Sequence, residues 1–173
     1  VHEVWRFEKQ LEQADLALFN KLIGVMHDTD AELWRSIPAV GTRAWLDLHP
    51  EVEFIRYDTG RKTSDACSAD EKDLPHIAPH VDNSSAVTLI GMLSEAGVDY
   101  EGGINRFELG DVIRKDPSEC GGIATGNFRE HRLEKGDVLI FRGETCEHSL
   151  TPVTSGCRDI VQIELCRNKE GRH

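Results

Sequence analysis

The chain has 173 residues, a length that suits one globular domain, and we expect residues 1–173 to form a single domain. Hydrophobic residues make up 39% and charged residues 29%, with 15 glycines and 6 prolines, which excludes a disordered or collagen-like chain. The net charge of -11 repels phosphate backbones and argues against a nucleic acid partner. No apolar run approaches the roughly 20 residues of a membrane-spanning helix, so we expect no membrane partner.

The chain has 5 cysteines, an odd number, and no two of them form a CxxC pair. This pattern fits neither a disulfide scaffold nor a four-thiolate zinc site. We therefore expect a reducing compartment, with the cytoplasm favoured.

Helical periodicity opens the chain. Between Phe7 and Met26 apolar residues recur at three- and four-residue steps, which predicts one or two amphipathic helices with a buried face. Asp30 precedes a short apolar pattern and is predicted to be the N-cap of a further helix, which ends near Gly41. We expect residues 1–45 to form a helical cover.

Short strands dominate after residue 50. The partial alternation over residues 51–57 predicts a strand, and Asp58, Thr59 and Gly60 form a turn signal after it. Further strands are predicted over residues 86–93, 103–109, 137–141, 145–150 and 157–165. Because no long helix separates them, we expect a sandwich or jelly-roll core over residues 50–167. Residues 61–74 are polar and charged, which predicts a surface loop long enough to act as a lid.

The residues with the clearest chemistry are two histidines, an aspartate and an arginine. His80 and Asp82 lie two apart and would point to the same side of a strand, where they could bind one cation. Alone, this pair fits a surface turn better than a metal site. A predicted strand then delivers His148, and Arg158 follows ten residues later on a last strand whose apolar residues favour burial. An arginine buried there needs an anionic partner.

Taken together, this order and spacing resemble the iron(II)- and 2-oxoglutarate-dependent dioxygenases, most closely the prolyl-4-hydroxylase-like branch. The match runs from about Phe54 to Leu165. It includes Arg56-Tyr57 before Gly60, Val87-Thr88-Leu89-Ile90, Glu101-Gly102-Gly103 before Phe107, and Lys135-Gly136-Asp137.

The resemblance implies a mixed α/β fold with a double-stranded β-helix (jelly-roll) core and N-terminal bracing helices. It implies that His80, Asp82 and His148 bind iron(II) on one face and leave the opposite positions open for cosubstrate and oxygen. The expected activity is hydroxylation of a substrate C–H bond with O₂, while 2-oxoglutarate is converted to succinate and CO₂. The resemblance also allows ascorbate as a supporting reductant.

The resemblance also implies how the cosubstrate is held. The distal carboxylate of 2-oxoglutarate is expected to meet Arg158, with Tyr57 and Thr88 as further cofactor-binding residues. Each of these two has a plainer alternative, because Tyr57 could be a packed strand aromatic and Thr88 a β-branched packing residue.

Two positions depart from the family pattern. The family histidine usually follows the tyrosine-bearing turn closely, whereas 20 positions separate Gly60 from His80, so residues 61–79 are interpreted as an insertion. Met92 stands where some prolyl hydroxylases have a second tyrosine, so Arg158 is expected to carry more of the anchoring.

The sequence leaves several substrates and roles open. The resemblance favours a peptidyl-prolyl or other protein side chain, and a free amino acid or small metabolite is the alternative. A non-catalytic jelly-roll module that binds metal for sensing is a second hypothesis. A third is a collagen-type hydroxylase domain of the secretory pathway, which predicts disulfides among the cysteines.

Overall fold

A computed structural model describes residues 2–38, 42, 48–60, 73–108, 123–125 and 128–167. The predicted lid over 61–74 therefore lies almost entirely outside the described residues. No helix in this described part is long and apolar enough to cross a membrane. The helices are α1 (Glu8–Ala14) and α2 (Leu16–Leu33). The strands are β1 (Glu3–Arg6), β2 (Leu48–Asp58), β3 (Ile77–His80), β4 (Ser85–Met92), β5 (Tyr100–Gly102), β6 (Asn105–Glu108), β7 (Ile123–Thr125), β8 (Phe128–His131), β9 (Val138–Phe141), β10 (His148–Leu150) and β11 (Val153–Arg167).

The described strands form two antiparallel sheets that enclose the core. The major sheet has the order β1-β2-β11-β4-β9, with β5 also paired to β11, and the minor sheet has the order β3-β10-β6-β8-β7. The two helices contact the major sheet through β2 and β4. The predicted jelly-roll core with N-terminal helices is confirmed.

The two-residue period of β11 and β4 divides the interior into two clusters. Ile160 on β11 and Met92 on β4 face the cavity between the sheets, together with Tyr57. Ile163 and Leu89 face the opposite side, where Met26 of α2 packs against them. β4 is buried along its whole length because it lies between the helices and the inter-sheet cavity.

The N-cap prediction at Asp30 is wrong. The helix begins after Asp15, whose side chain accepts a hydrogen bond from the Leu18 N–H, and it continues through Asp30 to Leu33. The buried Asp30 carboxylate instead accepts hydrogen bonds from the backbone N–H groups of Ser36 and Ile37. These hydrogen bonds fix the segment that follows the helix. The carboxylate accepts from backbone N–H groups, as it would at an N-cap.

Residues 1–45, predicted to be a helical cover, begin with the strand β1. β1 pairs with β2 from Glu3 opposite Arg56 to Arg6 opposite Glu53, and Arg6 donates to Glu53 at 2.9 Å. The strand predicted over 103–109 begins instead as β6 at Asn105. The chain bends before it, since Gly102 and Gly103 have φ values of 77° and 59°.

Asp159 of β11 and Arg56 of β2 form a cross-strand ion pair that makes a stability prediction. Arg56 Nε and Nη2 donate to the two carboxylate oxygens at 2.9 and 2.8 Å, and this hydrogen bonding lowers the pKa of Asp159. Because the pair is partly exposed, we expect Asp159→Asn to cost about 1 kcal/mol of unfolding free energy at pH 7. Urea unfolding measures this loss.

We also expect the loss of unfolding free energy in Asp159→Asn to depend on pH. A carboxyl whose pKa is lower in the folded state contributes stability above its unfolded pKa of about 4, and this contribution disappears as the pH falls through the folded-state pKa. Arg56→Gln is the matched partner, and the double variant should be no less stable than the worse single variant. A loss that stays constant into acid would contradict the assignment.

Candidate active site

Three potential metal ligands converge at the junction of β3 and β10. His80 and His148 are register partners on these strands, and Asp82 lies in the turn that follows β3. The Asp82 Oδ1 atom is 3.4 Å from His80 Nε2 and 3.6 Å from His148 Nε2, and the two ring centroids are 4.3 Å apart. The residues singled out from the sequence as metal ligands are therefore side by side.

Hydrogen bonds to the backbone fix which nitrogen of each imidazole faces Asp82. His80 Nδ1 lies 3.0 Å from the Ala78 carbonyl oxygen, and His148 Nδ1 lies 3.0 Å from the Cys146 carbonyl oxygen. A carbonyl oxygen only accepts, so each Nδ1 carries the proton and each neutral ring presents its Nε2 lone pair. Two lone pairs and a carboxylate oxygen that face one another require a cation or a proton between them.

The protonation of the three groups differs with their surroundings. Burial would raise the pKa of Asp82, but hydrogen bonds from His80 and Thr88 outweigh burial and lower it. Burial lowers the pKa of His148, while the hydrogen bond to Asp82 raises the pKa of His80. Without a cation, His80 is therefore the ring that takes up a proton beside the Asp82 carboxylate.

Asp82 is held in place from β4 and from the turn after β9. Thr88 is fully buried, and its hydroxyl donates to Asp82 Oδ2 at 2.7 Å. The Asp82 backbone N–H donates to the Gly143 carbonyl at 3.0 Å. A Cβ at Gly143 would lie 2.6 Å from the Thr88 hydroxyl, so the turn approaches this support closely. The cosubstrate contact expected for Thr88 stays a prediction. In the structure the Thr88 hydroxyl donates to Asp82.

A cavity of about 240 Å³ opens beside the three ligands. Arg158 and Tyr57 line one part of it and are register partners on β11 and β2. Arg158 is only 1% exposed, and no carboxylate of the described residues lies within ion-pair distance of it. Burial lowers its pKa, but a guanidinium stays charged in proteins, so the cavity contains an unneutralised cation.

The surroundings of Arg158 accommodate the side chain closely. Its guanidinium carbon is 5.3 Å from the centroid of the Tyr57 ring, and burial raises the pKa of Tyr57 to about 12, so the phenol remains an O–H donor. A Cβ at Gly103 would lie 2.9 Å from Arg158 Cδ, which explains why a residue without a side chain precedes β6.

Several residues that line the cavity were missed by the sequence analysis. Gln162 and Glu164 continue the inward-facing series of β11 that begins at Arg158, and Glu53 lies on the neighbouring β2. Alternation along the last strand was the signal that could have identified them. Asn105 also lines the cavity, from the minor sheet, and nothing in its local sequence distinguishes it.

A second group of potential ligands lies elsewhere on the major sheet. His49 Nε2 is 3.5 Å from Glu51 Oε1, and Cys166 is opposite His49 in the register. Arg6 already pairs with the other carboxylate oxygen of Glu51 at 2.9 Å, and burial raises the pKa of Cys166 to about 12. We assign no metal to this group, because its carboxylate already has a cationic partner in Arg6.

Solved structures with the same architecture identify the fold class. A prolyl 4-hydroxylase from Pseudomonas putida matches with a TM-score of 0.61 and 15% identity, over 98% of this chain and 73% of that one. An oxidoreductase of the 2OG-Fe(II) oxygenase family from Burkholderia pseudomallei matches with a TM-score of 0.57 and 14% identity, over 96% and 69%. The α-ketoglutarate-dependent epimerase SnoN of nogalamycin biosynthesis matches with a TM-score of 0.50 and 18% identity, over 96% and 63%.

No protein-family model and no curated protein matches the sequence. The chain has the fold of the 2-oxoglutarate and iron(II) oxygenases, and the predicted resemblance to the prolyl-4-hydroxylase-like branch is confirmed at the level of the fold.

The hydrogen bond from Thr88 to Asp82 makes a prediction about metal affinity. Thr88→Val keeps the shape of the side chain and removes the donor, so we expect the dissociation constant for Mn(II) to rise about tenfold. Thr88→Ser retains the hydroxyl and should bind Mn(II) nearly as tightly as the unchanged protein. Calorimetric titration measures both. Equal losses in the two variants would mean that packing, rather than the hydrogen bond, supports the site.

Proposed function

We propose that this chain is an iron(II)- and 2-oxoglutarate-dependent oxygenase that hydroxylates a C–H bond and releases succinate and CO₂. One observation carries the proposal: a single cavity is lined by two imidazoles and a carboxylate that face one another, and also by a buried arginine with no carboxylate partner among the described residues. Nitrogen and oxygen ligands of this kind suit iron(II), and the buried cation suits a dicarboxylate that reaches across the cavity.

Each group of the chain has a distinct role in this proposal. When bound, the iron and its cosubstrate supply the oxidising chemistry. His80, Asp82 and His148 bind the metal on one face, and the hydroxyl of Thr88 orients the carboxylate among these ligands. Arg158 receives the distal carboxylate of 2-oxoglutarate in a charge-assisted hydrogen bond, beside the neutral Tyr57 phenol.

The proposal also covers the domain organisation and the cellular compartment of the protein. We infer that residues 1–173 form a single domain, since one pair of sheets contributes residues from both ends of the described chain. We also infer a reducing compartment, with the cytoplasm favoured. The odd number of cysteines and the lack of a CxxC pair support this inference.

The substrate we propose is a peptidyl-prolyl or other protein side chain, with a free amino acid or small metabolite as the alternative. The prolyl 4-hydroxylase neighbour supports the first choice. The epimerase neighbour has the same fold and a different reaction, so the substrate class requires a separate test.

The cofactor site is tested by anaerobic titration with iron(II) and then 2-oxoglutarate. We expect a weak visible charge-transfer band in the unchanged protein, loss of this band in His80→Ala, and a half-saturating 2-oxoglutarate concentration at least tenfold higher in Arg158→Met. His76→Ala is the matched control, because this exposed histidine is four residues before His80 and bonds only to the Leu74 carbonyl among the described residues. Its titration should be unchanged.

A folded, iron-loaded protein without the band would overturn the oxygenase proposal. The same result in His80→Ala as in the unchanged protein would remove His80 from the ligand set.

Substrate class is tested by succinate formation in the presence of O₂ and ascorbate. We expect proline-containing peptide pools to raise succinate release severalfold over the substrate-free rate, and amino-acid pools to leave it at that rate. Stimulation by amino acids alone would select the small-molecule alternative. Bound iron and 2-oxoglutarate with no product from any pool would favour the non-catalytic sensor module.

A further inference from the structure

Glu164 is a carboxylate on the cavity wall with no role in metal or cosubstrate binding. It lies on β11 opposite Thr88 of β4, whose hydroxyl donates to the metal ligand Asp82. It also lies six residues after Arg158, and six residues of strand span about 20 Å. Glu164 therefore belongs to the part of the wall beside the metal ligands, and not to the part that Arg158 lines.

The Glu164 carboxylate can be reached from the cavity. Glu164 and Gln162 are half-buried rather than fully enclosed, and both line the cavity. On the neighbouring β2, Glu53 lines the same stretch of wall opposite Gln162, with 17% of its side chain exposed. A ligand in the cavity therefore meets a polar, acidic wall next to the three potential metal ligands.

No cation neutralises Glu164 in the part of the chain that the structure describes. Its Oε1 atom accepts a hydrogen bond from Gln162 Nε2 at 2.7 Å, and its Oε2 atom is 3.7 Å from the sulfur of Cys166, a weak donor. Glu53 differs, because Arg6 Nε donates to it at 2.9 Å. Glu164 thus has neutral donors as partners, whereas Glu53 already has a cation.

The surroundings make the charge of Glu164 unfavourable without a cationic partner. Burial raises the pKa of Glu164, and the negative charges of Asp82, Glu53 and Glu51 raise it further. A glutamine or an apolar residue at this position would avoid that cost. A carboxylate in such a place suits a ligand that carries positive charge.

The cofactors of the proposed reaction leave this charge unbalanced. The cavity is identified as a ligand site independently of Glu164, by the three facing metal ligands and by Arg158, which is 1% exposed and has no carboxylate partner in the described ranges. The two positive charges of iron(II) balance the two negative charges of 2-oxoglutarate, and Arg158 balances Asp82. With both histidines neutral, the charge of Glu164 remains, and a cationic substrate would balance it.

We propose that Glu164 binds an ammonium or guanidinium group of the substrate and so selects basic substrates. This inference rests on the proposed function and narrows its substrate to a protein segment that contains lysine or arginine, or to a basic amino acid. Glu164 receives the cation in a charge-assisted hydrogen bond. The Gln162 amide donates to Glu164 through Nε2, so its Oε1 atom is a further acceptor for the same cation. Glu164 is a specificity residue and takes no part in the oxidation.

The first test measures binding close to the metal. The probes are Nα-acetyl-lysine N-methylamide and Nα-acetyl-norleucine N-methylamide, which share a four-carbon side chain and differ in the ammonium group. The protein is loaded with Mn(II) and 2-oxoglutarate, because Mn(II) broadens the proton NMR lines of a molecule that binds near it. We expect the side-chain lines of the lysine compound to broaden about fivefold more than those of the norleucine compound.

Three variants assign this preference to the Glu164 charge. Glu164→Gln retains the size of the side chain and should reduce the broadening of the lysine compound to that of the norleucine compound. Glu164→Asp retains the charge and should keep most of the difference. Glu3→Gln is the matched control, because Glu3 lies between His2 and Val4, which line the cavity, and therefore points to the other face of the sheet. Unchanged Mn(II) and 2-oxoglutarate affinities in Glu164→Gln confirm that the cofactor sites are intact.

The second test measures succinate release by the iron-loaded protein with four peptide pools. The pools contain or lack proline, and contain either lysine and arginine or their neutral counterparts norleucine and citrulline. We expect the cationic pools to raise succinate release about tenfold more than the neutral pools, and Glu164→Gln to remove the difference. Free lysine and arginine form a fifth arm. Stimulation by these amino acids alone would assign the cation to a small molecule, and stimulation by peptides alone would assign it to a protein segment. Equal release from cationic and neutral pools overturns the proposal.

Failure of this inference is distinguishable from failure of the proposed function, because the NMR comparison does not depend on turnover. If iron(II) and 2-oxoglutarate give no charge-transfer band, the proposed function fails and this inference fails with it. If the band forms but the lysine and norleucine compounds are broadened equally, or neither is broadened, only the role of Glu164 is overturned. This comparison uses the unchanged protein, so it holds even where a variant does not fold.

Discussion

The pairing of β11 with β2 is the constraint on which the rest of the molecule depends. The register runs without interruption from Cys157 opposite Asp58 to Arg167 opposite Leu48. Since successive side chains of a strand point to opposite faces, this one register determines which residues of both strands face the helices and which face the cavity. A shift by one residue would turn Ile163 toward the cavity and Arg158 away from it.

The cavity combines polar groups that are unfavourable when it is empty. The carboxylate of Asp82 faces two imidazoles, and the charge of Arg158 lacks a counterion among the described residues. Buried charge without a partner is destabilising, and the hydrophobic clusters on both sides of the major sheet offset it. Any ligand that neutralises these groups binds the folded state alone and therefore stabilises it.

Two kinds of signal made part of the fold and of the site predictable from the sequence. One is the local pattern of apolar residues, and the other is the presence of residue types that have few common roles in proteins. Partial alternation located β2, and short apolar segments between turn signals located β4 and β11. The joint spacing of His80, Asp82, His148 and Arg158 selected side chains that the structure brings to one cavity. The fold class followed from the same pattern.

The remainder depends on contacts between residues distant in sequence. Asp30 has the chemistry of an N-cap but accepts from the chain after the helix, and only the tertiary path decides between the two. β1 is a four-residue edge strand that forms by pairing with β2, more than forty residues later, and its own periodicity is too short to detect. The use of Thr88 by Asp82, and of Asn105 by Arg158, likewise depends on partners from other strands.

The position of β1 affects access to the cavity. His2 and Val4 belong to the cavity wall, yet among the described strands β1 pairs with β2 alone, and its residues are exposed. A short edge strand separates from a sheet at a much lower free-energy cost than any strand inside it. Local fraying of β1 would therefore open the wall near Tyr57, whose ring lies 5.4 Å from that of His2, while His80 on β3 and His148 on β10 stay in place. Fusions or deletions in this strand would act on access to the cavity rather than on the chemistry inside it.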